Sequence, residues 1–161
     1  MALRKVVTEG DEILRKRCKE VTAVDDRIRM ILDDMLETMR NEYGVGIAAP
    51  QVGIMRRMIV VEAEEGQVYQ LVNPVIVESR GSQKGDEGCL SVPGYIGTVE
   101  RPEYVRVEAL DRDGKGTVVE AEGFPAVVLC HECDHLEGIL YIDKAENLRP
   151  LENEEEEEQQ A

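Results

Sequence analysis

The chain has two histidines, and both stand in one short segment, His131-Glu132-Cys133-Asp134-His135. A four-residue step turns about 40° round a helix, so the two imidazoles leave the same side one turn apart and can share an ion. Glu132, between them, is the residue that this spacing sets beside a metal to work on bound water. A second pattern overlaps the first: Cys130 and Cys133 have the gap of a structural zinc site or a redox dithiol. Cys133 lies about 200° round the helix from His131, away from the metal-facing side. A zinc site of four cysteines would need another such pair, and a dithiol would need a thioredoxin-like context. Both cysteines are therefore read as packing groups.

Two imidazoles need a third ligand. Glu146 is the one glutamate beyond the helix and ahead of the acidic tail, and it would serve an ordinary metallopeptidase. Upstream, "GDEGCLSVPGYIG" sets Cys89 among Gly, Ser and Pro residues that mark a tight loop leaving a strand. A thiolate there would complete a tetrahedral set with one position open to water. Taken by itself, Cys89 reads first as a small buried apolar side chain. Spacing alone leaves the choice open.

These groups need rigid elements to hold them. Ile28, Ile31, Leu32, Met35, Leu36 and Met39 form one apolar face, which predicts a helix over Asp25–Tyr43 with Asp25 as N-cap and Gly44 as its left-handed stop. Strand character follows in "RRMIVVE", "VYQLV", "PVIVES", "YVRVEAL" and "GTVVEAEG", the last two joined by a turn at Asp111–Gly114. A second helix is expected from Phe124-Pro125 to about Glu137, stopped by Gly138. Its apolar residues lie all round, as in a helix enclosed by its domain. The expected class is α+β: antiparallel β-sheets wrapped around a buried central helix carrying HExxH, with an N-terminal outer helix.

With 161 residues the chain is of single-domain size, and its 42% hydrophobic share includes no Trp and one Phe, so the core must be mostly aliphatic. A net charge of -15 speaks against nucleic acid as a direct partner. No stretch resembles a signal peptide or a membrane span, which places the expected compartment in the cytoplasm, with cysteines free of disulfides. Residues 1–151 read as one catalytic domain, and 152–161, with its Glu154–Glu158 run, as an acidic disordered tail dispensable for chemistry.

Three stretches together, "GVGIAAPQVG" (Gly44–Gly53), "EGCLSVPG" (Glu87–Gly94) and "HECDHLEG" (His131–Gly138), resemble the three motifs of the peptide deformylases in order and spacing. The resemblance implies a metal-dependent amide hydrolase that removes formate from N-formylmethionyl peptides of nascent chains. It implies Cys89, His131 and His135 as ligands, Glu132 as general base and acid, and Gln51 with the Leu90 N–H as donors to the developing oxyanion. Fe(2+) would be the ion in the cell, with Zn(2+) or Ni(2+) able to replace it. An extended peptide would dock as an added strand along Gly44, Val45 and Gly46, where Gly46 permits close backbone approach. Val45, Phe124, Val127 and Val128 would line a pocket for the methionine side chain. Arg101 would contact substrate carbonyls or stand solvated in a loop, and Glu87 and Asp134 would orient their neighbours. Some relatives dock to the ribosome through a basic C-terminal helix, whereas the tail here has the opposite sign.

Overall fold

The apolar stripe that begins at Ile28 does form a helix. In the computed structural model, which describes residues 2–151, α1 spans Asp26–Asn41, and the Asp25 carboxylate accepts the Ile28 N–H at 3.0 Å. Ile31, Leu32, Met35 and Met39 bury one face against Ile47, Met58, Val60 and Val72. Each such side chain removed from water is worth about 1.5–3 kcal/mol. The helix ends otherwise than expected. Tyr43, at φ 59°, is the left-handed residue, and Gly44 is the one after it. Tyr43 N–H reaches the Arg40 carbonyl and Gly44 N–H the Met39 carbonyl, the paired reverse bonds of a Schellman ending.

Eight strands follow: β1 (Gly46–Ala48), β2 (Met58–Glu64), β3 (Gln67–Arg80), β4 (Gln83–Cys89), β5 (Val92–Arg101), β6 (Tyr104–Leu110), β7 (Gly116–Glu122) and β8 (Glu146–Pro150). They build two antiparallel sheets, ordered β1-β2-β3-β6-β7 and β4-β5-β8. The expected turn joins β6 to β7, where Asp111 Oδ1 accepts the N–H groups of Asp113 and Lys115 at 2.9 and 3.0 Å. The two segments read on either side of Asn73-Pro74 are one strand, β3. Its register shifts between Val72 and Val75, and Asn73 stands at φ 51°, so the proline falls at a bulge where no ladder N–H is required. The Asn73 amide also ties down the N-terminal segment, accepting the Val21 N–H and donating to the Val21 carbonyl, both at 2.9 Å.

The second helix, α2 (Phe124–His135), packs against strands of both sheets, including β1, β2, β5 and β7. From Val128 onward it is enclosed as expected, with Leu129, Cys130, His131, Glu132 and His135 buried. Its first turn departs from that expectation: Phe124 is 53% exposed and Val127 half-buried. Among the described residues no helix is long and apolar enough to cross a membrane. β8 runs to Pro150, and the Leu151 N–H donates to the Gly94 carbonyl at 2.9 Å. The acidic tail assigned to 152–161 lies outside the described residues.

Past α2 the chain turns at Gly138, φ 76°, where it crosses the N-terminal segment. A Cβ there would stand 2.4 Å from the Arg15 carbonyl oxygen and 3.1 Å from the Lys16 nitrogen. Gly138→Ala is therefore expected to destabilise the protein by at least about 2 kcal/mol, from backbone strain and overlap together. The urea midpoint checks it, and an unchanged midpoint would mean that the crossing is looser than described.

Candidate active site

β4 ends at Cys89, the chain reverses through Leu90 and Ser91, and β5 begins at Val92, which pairs back to Cys89. That reversal brings the thiol against α2. Cys89 Sγ and one ring nitrogen from each of His131 and His135 lie within 4.8 Å of one another, all three residues buried. His131 Nδ1 is 2.9 Å from Glu87 Oε1, and its Nε2 is buried without a partner; His135 Nδ1 is likewise without one, while Nε2 faces the sulfur at 3.4 Å. A buried imidazole nitrogen without a partner is rare, and His131 Nε2 is one that an ion between the rings and the sulfur would complete. One sulfur and two imidazoles suit a late first-row divalent cation. Burial lowers the basicity of both rings; in His131 the neighbouring Glu132, Cys89 and Glu87 more than reverse this, whereas in His135 the charges of His131 and Arg101 deepen it.

Glu132 is wholly buried, and neither carboxylate oxygen has a hydrogen-bond partner. Burial pushes its carboxyl up to about 7, with His131 pulling the other way. Gly46 gives it room. A Cβ at Gly46 would stand 2.5 Å from Glu132 Oε2 and 2.8 Å from Val128 Cγ1. The close approach that requires glycine at this position is thus to the motif glutamate inside the protein, a constraint the sequence reading assigned to an incoming peptide.

Arg101 is neither in a solvated loop nor free to reach outward. It is 3% exposed and grips Glu87 through two bonds of 2.9 Å, with a third of 2.7 Å to Asp134. Burial would raise the Glu87 carboxyl, but the hydrogen bonds from Arg101 and His131 bring it down to about 2. Asp134 also accepts from Lys144 at 2.9 Å. Glu87 thus bonds both Arg101 and His131, Asp134 bonds Arg101 and Lys144, and the guanidinium of Arg101 is committed to these two carboxylates.

Gln51 sits in a short 3-10 turn, Ala49–Val52. Its Oε1 accepts the Ala48 N–H at 2.9 Å, and Nε2 faces Ser91 Oγ at 3.0 Å and Cys89 Sγ at 3.6 Å. Leu90 is buried in the reversal beside the thiol. Val45 and Val128 pack in one apolar cluster with Ala48 and Leu129. Sequence reasoning passed over Ser91 and Tyr141. The Tyr141 ring stacks on His131, centroids 6.0 Å apart, and its hydroxyl donates to the Tyr95 carbonyl at 3.0 Å. The His131–Tyr141 pairing crosses ten residues of chain, and only the histidine carried a motif.

The rival ligands are elsewhere. Glu146 opens β8, exposed, 3.7 Å from Lys84 Nζ. Cys130 lies in the aliphatic core, with Cys133 packed against it. Burial pushes both thiols up, Cys130 to about 11. Both shifts favour the protonated thiol.

The sequence model of the family described as polypeptide deformylase matches residues 3–151. A peptide deformylase of Symbiobacterium thermophilum is 53% identical over 163 residues, covering 100% of this chain and 75% of its own. One from Acetivibrio thermocellus is 53% identical over 144 residues, covering 89% and 84%. The fold matches the crystal structure of the Thermotoga maritima peptide deformylase at TM-score 0.88 and 37% identity, over 91% of this chain and 99% of that one. It also matches the Synechococcus elongatus peptide deformylase, solved in complex with actinonin, at TM-score 0.85 and 40% identity, over 89% and 79%.

Removing one member of a buried ion cluster leaves the others charged and unmatched. Arg101→Met is expected to cost about 3–5 kcal/mol, read from chemical denaturation. A loss below about 1 kcal/mol would mean that Glu87 and Asp134 find other partners or water.

Proposed function

This chain belongs to the polypeptide deformylase family, and from that premise we propose how its own residues carry out the reaction. The protein is a metal-dependent amide hydrolase that removes the formyl group from the N-terminal formylmethionine of newly made polypeptides. Cys89, His131 and His135 hold the ion. When bound, it supplies Lewis acidity and makes hydroxide available from water near neutral pH. The reaction has two further needs: a group that moves a proton, and donors for the charge gathering on the formyl oxygen.

Glu132 meets the first. Its carboxylate takes the proton of the attacking water and passes it to the departing nitrogen, so one side chain serves as base and then acid. Neither oxygen of the buried carboxylate is tied up by a hydrogen bond, so it is free to serve both steps. Gln51 and the Leu90 N–H meet the second need, as fixed dipoles that require no rearrangement during the step. Glu87, held by Arg101, keeps the His131 ring in one orientation.

The substrate main chain docks along Gly44, Val45 and Gly46. β1 is the end strand of its sheet, which supports addition of one more strand there. Val45, Phe124, Val127 and Val128 receive the methionine side chain; the open first turn of α2 supports an entrance beside Phe124. Fe(2+) is the ion in the cell, with Zn(2+) or Ni(2+) as substitutes, because thiolate and imidazole accept all three. The catalytic unit is the single domain 1–151, a reading supported by the family match over 3–151. The remaining ten residues are acidic in composition. The enzyme works in the cytoplasm on chains leaving the ribosome.

The observation that carries this mechanism is the unpartnered Glu132 carboxylate beside three converging metal donors. Glu132→Ala is expected to retain one equivalent of metal and to lose turnover on formyl-Met peptides by roughly 10²–10⁴-fold. Loss of the metal in that variant would make Glu132 a ligand and undo its role as proton carrier.

A further inference from the structure

Gln51 is fully enclosed, and the hydrogen bonds at the two ends of its amide are unequal in kind. The oxygen is fixed by a backbone donor, the Ala48 N–H. The nitrogen carries two hydrogens, one toward Ser91 Oγ at 3.0 Å and the other on the side of Cys89 Sγ at 3.6 Å. The first is an ordinary hydrogen bond and the second is a long contact to a soft acceptor. A hydroxyl can accept from an amide NH2 group, so the Ser91 contact also decides which end of the amide is nitrogen.

Ser91 is itself wholly buried, and its position is set from a third direction. Its carbonyl accepts the Glu9 N–H at 2.7 Å, and the Gln51 carbonyl accepts the Val7 N–H at 2.7 Å. One N-terminal segment therefore holds the turn that carries Gln51 and the reversal that carries Cys89, Leu90 and Ser91. The Ser91 hydroxyl is the shorter of two side-chain links between these loops, the other being the contact of Gln51 with Cys89 Sγ.

We propose that Ser91 is a positioning residue for the reaction: its hydroxyl holds one amide hydrogen of Gln51, so that the other stays directed at the place where the formyl oxygen gathers charge. The inference rests on the reading of Gln51 as an oxyanion donor. Without the hydroxyl, the amide keeps its anchor at Ala48 but can turn about it. The donor then has to be oriented during the step, and the loss falls on turnover more than on substrate binding.

The test is a double-mutant cycle of Ser91→Ala and Gln51→Ala in the zinc-loaded enzyme, with kcat, KM, metal content and unfolding midpoint measured for each. Ser91→Ala is expected to lower kcat roughly five- to tenfold, the worth of one oriented hydrogen bond, with KM within about twofold and metal retained. In the Gln51→Ala background the same change should lower kcat no further. Ser91→Thr, which keeps the hydroxyl, should stay within about twofold of the parent kcat and separates loss of the hydroxyl from damage to packing. Additive losses in the cycle, or a Thr variant as impaired as the Ala one, would overturn the role given to Ser91 while leaving that of Gln51 intact. Unchanged turnover in Gln51→Ala alone would overturn the oxyanion reading first, and the Ser91 role with it.

Discussion

The salt bridge between Glu87 and Arg101 is the contact on which the site turns, because it joins three elements at one point. Glu87 comes from β4, Arg101 from β5, and the remaining donor and acceptor positions go to His131 and Asp134 on α2. Both charges are almost completely withdrawn from water, and such pairs often add little net stability once desolvation is counted. Their value here is geometric. A planar guanidinium gripping a carboxylate through two parallel bonds leaves that carboxylate one orientation. Glu87 in turn takes the Nδ1 side of His131 and commits Nε2 to the opposite direction.

The other groups of the site arrive by close packing and not by charge. β1 passes so near α2 that only a glycine fits opposite Glu132, which holds the carboxylate among apolar neighbours and raises its proton affinity. The N-terminal segment supplies backbone donors to the loops bearing Gln51 and Ser91, so four short stretches far apart in sequence meet with little freedom left. Preorganisation of this kind is what an oxyanion site requires, since dipoles that must turn during the reaction lose much of their effect.

How much of this could be read from the chain alone follows from the range of each signal. The α1 stripe, the Asp111 turn and the HExxH spacing are local, and each appears where expected. β4 is legible only as the strand that the Cys89 loop leaves, because "QKGDEGC" has no apolar alternation and is held extended by its pairing to β5. Asn73-Pro74 looked like a break and is a bulge, since pairing with β6 and the bonds to Val21 outweigh the proline. Tyr43 takes the left-handed position that propensity gives to Gly44, its cost offset by the reverse hydrogen bonds of the helix end. Arg101, Ser91 and Tyr141 gain their meaning from partners at least ten residues away, and residue type alone carries no sign of it. Spacing leaves the ligand choice between Cys89 and Glu146 open, and the hairpin brings the thiol, not Glu146, to the two histidines.

The claim on which the rest depends is that one sulfur, that of Cys89, binds the ion together with the two histidines. Cobalt(II) loading tests it directly, because a bound thiolate gives a sulfur-to-cobalt charge-transfer band in the near-ultraviolet. The band should be present in the parent protein, persist when Cys130 and Cys133 are both replaced by Ala, and vanish in Cys89→Ala. A band that survives the loss of Cys89, or disappears with Cys130 and Cys133, would place the ion on different ligands and contradict the site described.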